Sequence, residues 1–109
     1  MMARHITGSS LAPGQAGGQA NGRSSMYFVY ILQSEKDNKL YIGFTKDVNN
    51  RLNEHNNKRV FSTKGRTPLK LIFYEMYLNK YDALRREKYF KTNKGRTTIK
   101  TMLQEYLKS

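Results

Sequence analysis

The chain has 109 residues, with 20 Lys and Arg against 8 Asp and Glu, a formal charge of +12, and neither cysteine nor tryptophan. This length supports one small domain with a modest core, and no apolar run is long enough to span a membrane or to form the core of a secretory signal. Without cysteine, disulfides, thiolate catalysis and Cys-ligated zinc are excluded, and the composition fits a reducing cytoplasm, the expected location.

Residues 1–25, "MMARHITGSSLAPGQAGGQANGRSS", hold most of the glycines and almost no large apolar side chains. Such a segment cannot offset its own ordering entropy, so it is expected to be a disordered leader, with a native start at Met26 and a domain over 26–109. "YFVYILQ", 27–33, is β-branched and aromatic on both alternating faces, as a strand covered on both sides would be. "SEKDNK" reads as a polar turn and "LYIGFT", 40–45, as the returning antiparallel strand. Tyr41 and Gly43 share one face of that strand, which puts a bare backbone position beside a phenol.

Asp47 is placed to cap a helix through "VNNRLNEHNN". "KRVFSTKGRTP" is a basic loop, in which Lys64 and Arg66 are candidate phosphate-binding cations, and "LKLIFYEMY", 69–77, is a third strand. Asn79 and Asp82 offer caps for a helix containing "DALRREKYF", which Gly95 is expected to end. A last helix carries Ile99, Met102, Leu103, Tyr106 and Leu107 on one stripe. The expected fold is α/β (α+β), a small three-stranded antiparallel sheet flanked by helices in the order β-β-α-β-α-α.

Three polar residues break these apolar stripes. Arg51 and His55 alternate with Val48 and Leu52, and Glu87 lies one turn after Ala83 and Leu84. A carboxylate facing a core is costly, so either that stripe borders a cleft or Glu87 has a partner. Each intruder alone has an ordinary structural reading, since an arginine snorkels and a lone histidine is usually a satisfied core group. Together in a basic domain they suggest the cutting of a phosphodiester. A hard divalent cation accepts one carboxylate with water and phosphate, arginine stabilises charge on phosphate, and His or Tyr relays a proton. The domain itself carries the charge: residues 26–109 hold 18 of the basic and all 8 acidic side chains, net +10. A polyanion relieves that self-repulsion, and nucleic acid, ribosomal RNA included, is favoured over a membrane.

These residues resemble the GIY-YIG nuclease family. "FVY" at 28–30 stands where the first half of the signature falls, with Phe28 in place of its first glycine, and "YIG" at 41–43 matches the second half. "DVNNRLNEHN" resembles the family's Arg/His helix, and "ALRREKYFK" the helix of its metal-binding glutamate. "STKGRTPLKLIFYE" is similar to the loop and third strand of small stand-alone bacterial members.

The resemblance implies metal-dependent endonucleolytic hydrolysis of DNA, as in repair, restriction and mobile-element enzymes. Tyr30 would be the general base or relay, assisted by His55, and Tyr41 would position water or phosphate. Arg51 would stabilise the transition-state charge, Glu87 would bind one Mg²⁺ or Mn²⁺, and Gly43 would keep the wall of the site open, with Lys91 a further phosphate contact. Asn93 is a candidate for the polar residue that some larger members use after the glutamate. Family enzymes with known targets usually carry a further DNA-binding or partner domain that these residues do not include, so a protein partner supplying specificity is expected. Branched, damaged or single-stranded DNA is the expected substrate. The alternatives are a non-catalytic nucleic-acid-binding module, drawing on Lys58, Arg59, Lys94 and Arg96 as well, and a domain that regulates a protein partner through its basic surface.

Overall fold

A computed structural model describes residues 26–109, and the expected leader lies outside the described residues. Its elements are β1 (Tyr27–Ser34), β2 (Leu40–Thr45), α1 (Val48–Asn56), β3 (Leu69–Tyr77), α2 (Lys80–Phe90), α3 (Asn93–Met102) and α4 (Gln104–Lys108), with a short 3₁₀ turn at Phe61–Thr63. The sheet is antiparallel with β1 central, in the order β2-β1-β3. This is the three-stranded α+β architecture expected from the chain.

β1 is apolar on both faces because both are covered. Val29 and Ile31 join Phe73, Ala83, Phe90 and Ile99 in a core under α2 and α3. Tyr30 and Leu32 pack with Leu69 on the opposite face, against Leu52 of α1. A register shift between Ile31 and Leu32 leaves Ile72 without a partner in the β1–β3 ladder. That extra residue turns Leu69 and Leu71 towards α1 and Phe73 towards α2, although all three share one face by simple alternation.

The caps are local. Asp47 accepts from the Asn50 N–H, and Asn79 accepts from the Tyr81 N–H. Asp82 lies inside the first turn of α2 and pairs with Arg85 at 2.6 Å. Two expectations need correction. Gly95 does not end α2, which closes at Phe90; Thr92 caps a new helix and Gly95 lies within it. A Cβ at Gly95 would collide with the Tyr89 carbonyl oxygen and come within 2.6 Å of the Phe90 Cα, so the residue permits close approach of consecutive helices. The expected last helix is divided by a kink at Leu103 (φ −110°, ψ 23°), and of its stripe only Ile99 is fully buried.

Side-chain hydrogen bonds from α1 and β1 tie down the segment between α1 and β3. Asn56, the last residue of α1, donates to the Leu69 carbonyl (2.9 Å) and accepts from the Leu69 N–H (2.7 Å). The buried Ser34 hydroxyl donates to the Arg66 carbonyl at 2.7 Å, and Thr63 reaches His55 on α1.

Candidate active site

The sheet and helices surround an open cleft of about 1000 Å³ that runs along edge strand β2. Tyr30, Tyr41, Gly43, Arg51, His55, Glu87 and Lys91, singled out from the sequence, all contribute to its lining. Lys64 and Arg66 do not. Lys64 stands over the Phe61 ring, and Arg66 donates to the Tyr41 hydroxyl (3.2 Å) and pairs with Asp37 (3.1 Å), so it bears on the cleft through Tyr41.

Tyr30 is the centre of the polar network. It sits mid-strand in β1, opposite Gly43 in the β1–β2 ladder, and is 3 % exposed. A Cβ at position 43 would collide with the Tyr30 hydroxyl and approach its Cε2 to 2.8 Å. Gly43 therefore leaves room for the phenol to lie across the neighbouring strand, and the gap expected from sequence is filled by Tyr30 itself. Phe28, in place of the signature's first glycine, is 2 % exposed and meets Tyr74 edge-on at 5.8 Å, a packing role.

Arg51 and His55 lie one turn apart on α1 and reach the same oxygen. The Arg51 Nε–H donates to Tyr30 Oη at 3.3 Å, and His55 Nε2 lies 3.0 Å from it. His55 Nδ1 is 2.7 Å from the hydroxyl of the buried Thr63. Burial, with a smaller push from Glu87 and Glu54, raises the Tyr30 phenol above its ordinary value, although the Arg51 contact opposes this. Burial, followed by the positive charge of Arg51, lowers His55. The resting pair is thus a protonated phenol that donates to a neutral imidazole, with both shifts holding the proton on Tyr30. Glu54 holds Arg51 at 2.8 Å and, with Tyr30, raises it further, so the guanidinium stays charged and aimed.

Glu87 is the single carboxylate of the cleft lining among the described residues. Its side chain is 20 % exposed, with Oε2 3.0 Å from Lys91 Nζ. Both alternatives for this residue therefore hold: its stripe borders a cleft, and it has a basic partner. Among the described residues no group of three or more His, Cys, Asp or Glu side chains could hold a metal ion. One half-buried oxygen donor facing an open cleft suits a hydrated Mg²⁺ that completes its shell with water and substrate phosphate. The same set does not suit a structural zinc.

The match with known proteins follows this geometry. Residues 26–100 match the GIY-YIG catalytic domain. The chain belongs to the GIY-YIG nuclease family. It is similar to a UPF0213 protein of Staphylococcus epidermidis, 44 % identical over 80 residues that cover 72 % of this chain and 95 % of that one. A UPF0213 protein of Staphylococcus aureus is 45 % identical over 67 residues, covering 61 % and 80 % of the two chains. Among solved structures, the solution NMR structure of a UPF0213 protein from Bacillus halodurans is 28 % identical, covers 71 % of this chain and 84 % of that one, and aligns with a TM-score of 0.46.

Sequence reasoning missed some of the cleft's residues. Thr63 falls in a loop, where no periodicity marks an inward side chain, and only the 3₁₀ turn aims it at His55. Lys39 and Lys100 also line the cleft. They could have been noticed as cations at the start of β2 and one turn after Arg96, although nothing local separates them from other surface lysines.

Proposed function

We propose that the protein is a metal-dependent DNA endonuclease that hydrolyses phosphodiester bonds. The observation that carries this reading is the convergence of Arg51 and His55 on the buried Tyr30 hydroxyl, in a cleft whose lining includes a lone carboxylate. In this reading Tyr30 Oη takes a proton from the attacking water while its own proton passes to His55 Nε2. The water oxygen bonds to phosphorus, the scissile P–O bond breaks, solvent protonates the leaving oxygen, and His55 then returns its proton to solvent, which restores the resting pair. Arg51 offers its charge where the phosphate becomes more negative. Tyr41, held by Arg66, orients water or phosphate, and Lys91 contacts an adjacent phosphate. Glu87 would hold Mg²⁺ or Mn²⁺, which when bound supplies Lewis-acid polarisation of the phosphate.

DNA is the proposed partner, and the basic surface supplies sequence-independent affinity that weakens with salt. Branched, damaged or single-stranded DNA and a specificity-supplying partner protein belong to the same proposal, as does a place in repair within the cytoplasm. No helix among the described residues is long and apolar enough to cross a membrane. The test compares nicking of supercoiled DNA with Mg²⁺ by wild type and Glu87→Ala. Nicking is expected to disappear in the variant while its circular dichroism and melting stay close to wild type, because the Glu87–Lys91 pair is a helix-surface contact of about 0.3–0.5 kcal/mol. Equal nicking by both proteins would refute catalysis at this site. Salt-sensitive, metal-independent binding without nicking would favour a binding module instead.

A further inference from the structure

The segment joining α1 to β3 carries a side chain that the proposed chemistry leaves unused. Phe61 opens the 3₁₀ turn with 82 % of its surface exposed, the highest value among the exposed large apolar residues described. Its neighbours Val60, Ser62 and Thr63 line the cleft, so the ring stands at the rim. A single exposed apolar side chain is ordinary on a protein surface, but the surroundings of this one are specific. No acidic side chain occurs between Glu54 and Glu75, whereas Lys58, Arg59, Lys64, Arg66 and Lys70 do. Of these, Lys64 stands at the ring itself, whereas Arg66 is paired with Asp37 and Lys70 stands over Tyr106; a flat apolar ring with a lysine on it, in a stretch of chain that has no acid of its own, suits a partner that is flat, apolar and anionic.

The ring is also prepared for one-sided contact. Lys64 Nζ lies 4.8 Å from its centroid and occupies one face, and the high exposure leaves the other face to solvent. The turn beneath it is anchored by the Thr63 contact to His55 and by the Ser34 bond to the Arg66 carbonyl. A nucleobase on an anionic backbone has the required chemistry. In an uninterrupted duplex each base face is already stacked on its neighbours, so only an unpaired base can offer its face to a side chain.

We propose that Phe61 is a stacking platform for an unpaired nucleobase of the strand whose phosphates enter the cleft. The protein then prefers single-stranded or splayed nucleic acid to continuous duplex. This inference rests on the reading of the cleft as a phosphodiester site and adds the feature that selects among substrates.

The experiment measures binding in chelator, without divalent metal, so that cleavage plays no part. The probes are short oligothymidylate and a blunt-ended two-stranded duplex of equal charge. Phe61→Ala is expected to weaken oligothymidylate binding roughly five- to a hundredfold, the range for one aromatic–base stack, and to leave duplex binding unchanged. Because the chain contains no tryptophan, Phe61→Trp places one reporter at the rim. Its emission should be quenched by oligothymidylate and not by the duplex.

Four outcomes would overturn the inference: wild-type binding of both probes by Phe61→Ala, equal losses on both, an unresponsive tryptophan under conditions where the oligonucleotide binds, or no oligonucleotide binding by wild type. The two readings also fail separately. Glu87-dependent nicking with an unresponsive tryptophan removes the platform alone, and quenching without Glu87-dependent nicking removes catalysis alone.

Discussion

Gly43→Ala is the most direct perturbation of the candidate site, because one added methyl group meets one functional side chain. The new Cβ would collide with the Tyr30 hydroxyl and lie 2.8 Å from Cε2, so the ring must swing away. Overpacking of a tight site costs about 1–3 kcal/mol. A displaced phenol also forfeits its contacts with Arg51 and His55, each of which contributes about 0.5–1.5 kcal/mol net. The expected loss is about 2–6 kcal/mol, a large part of the stability of a domain this size, and corresponds to a fall in Tm of roughly 10 °C or more. Gly65→Ala is the internal control, since nothing lies within 4 Å of a Cβ there. Its Tm should stay within a few degrees of wild type, with a small gain from the stiffer unfolded chain. A phenol moved away from Arg51 and His55 should also slow nicking, and thermal melts of the three proteins, with the nicking assay run well below the lowest Tm, check both effects. A Gly43→Ala protein that melts with wild type and nicks at the wild-type rate would refute the packing of Tyr30 over this glycine.

Two further perturbations test one group inside the site and one pair outside it. His55 is held below its ordinary value by burial, so the folded imidazole stays neutral while the unfolded one protonates. Its contribution to stability is complete above about pH 6.5 and is lost as pH falls towards its lower folded value, with a slope of at most about 1.4 kcal/mol per pH unit. Urea melts across pH 5–7 should show this decline in wild type and a flatter profile in His55→Gln, and an NMR titration midpoint at or above 6.5 for His55 would contradict it. On the other side of the sheet, Arg86 bonds both oxygens of Glu75, whose side chain is only 11 % exposed, and stands 4.3 Å from the Phe90 ring centroid. Arg86→Met leaves that carboxylate with Tyr77 and should cost about 2–3 kcal/mol by urea unfolding, less than for a fully buried pair. Neither residue lines the cleft, so nicking at low temperature should survive; a loss of nicking without a loss of stability would contradict this separation.

Much of the fold was legible because its signals are local. The strands and α1 announce themselves by period, composition and the Asp47 cap, and their limits fall within a residue or so of the structure. Arg51, His55 and Glu87 were visible as polar groups breaking apolar stripes, and the structure places all three on one cleft. What could not be read depends on contacts remote in sequence or on backbone geometry. Gly95 looked like a terminator because glycine usually ends helices, whereas here it is required by the close passage of Tyr89 and Phe90. The bulge at Ile72 is invisible in the unbroken apolar run of residues 71–73, and so is its sorting of Leu71 and Phe73 to opposite faces. Thr63 meets His55 across a loop whose path only the tertiary fold decides.

The placement of Tyr30 on the central strand divides the cleft into parts of unequal persistence. Its backbone belongs to β1, hydrogen-bonded on both flanks, and such amides exchange with solvent only when the whole domain opens. The wall across from it, around residues 58–66, lies outside the sheet and is held by the side-chain bonds of Thr63, Ser34 and Arg66, so its amides are expected to exchange through more local openings. The backbone that carries the phenol is therefore expected to stay protected through local openings that expose the amides around Thr63.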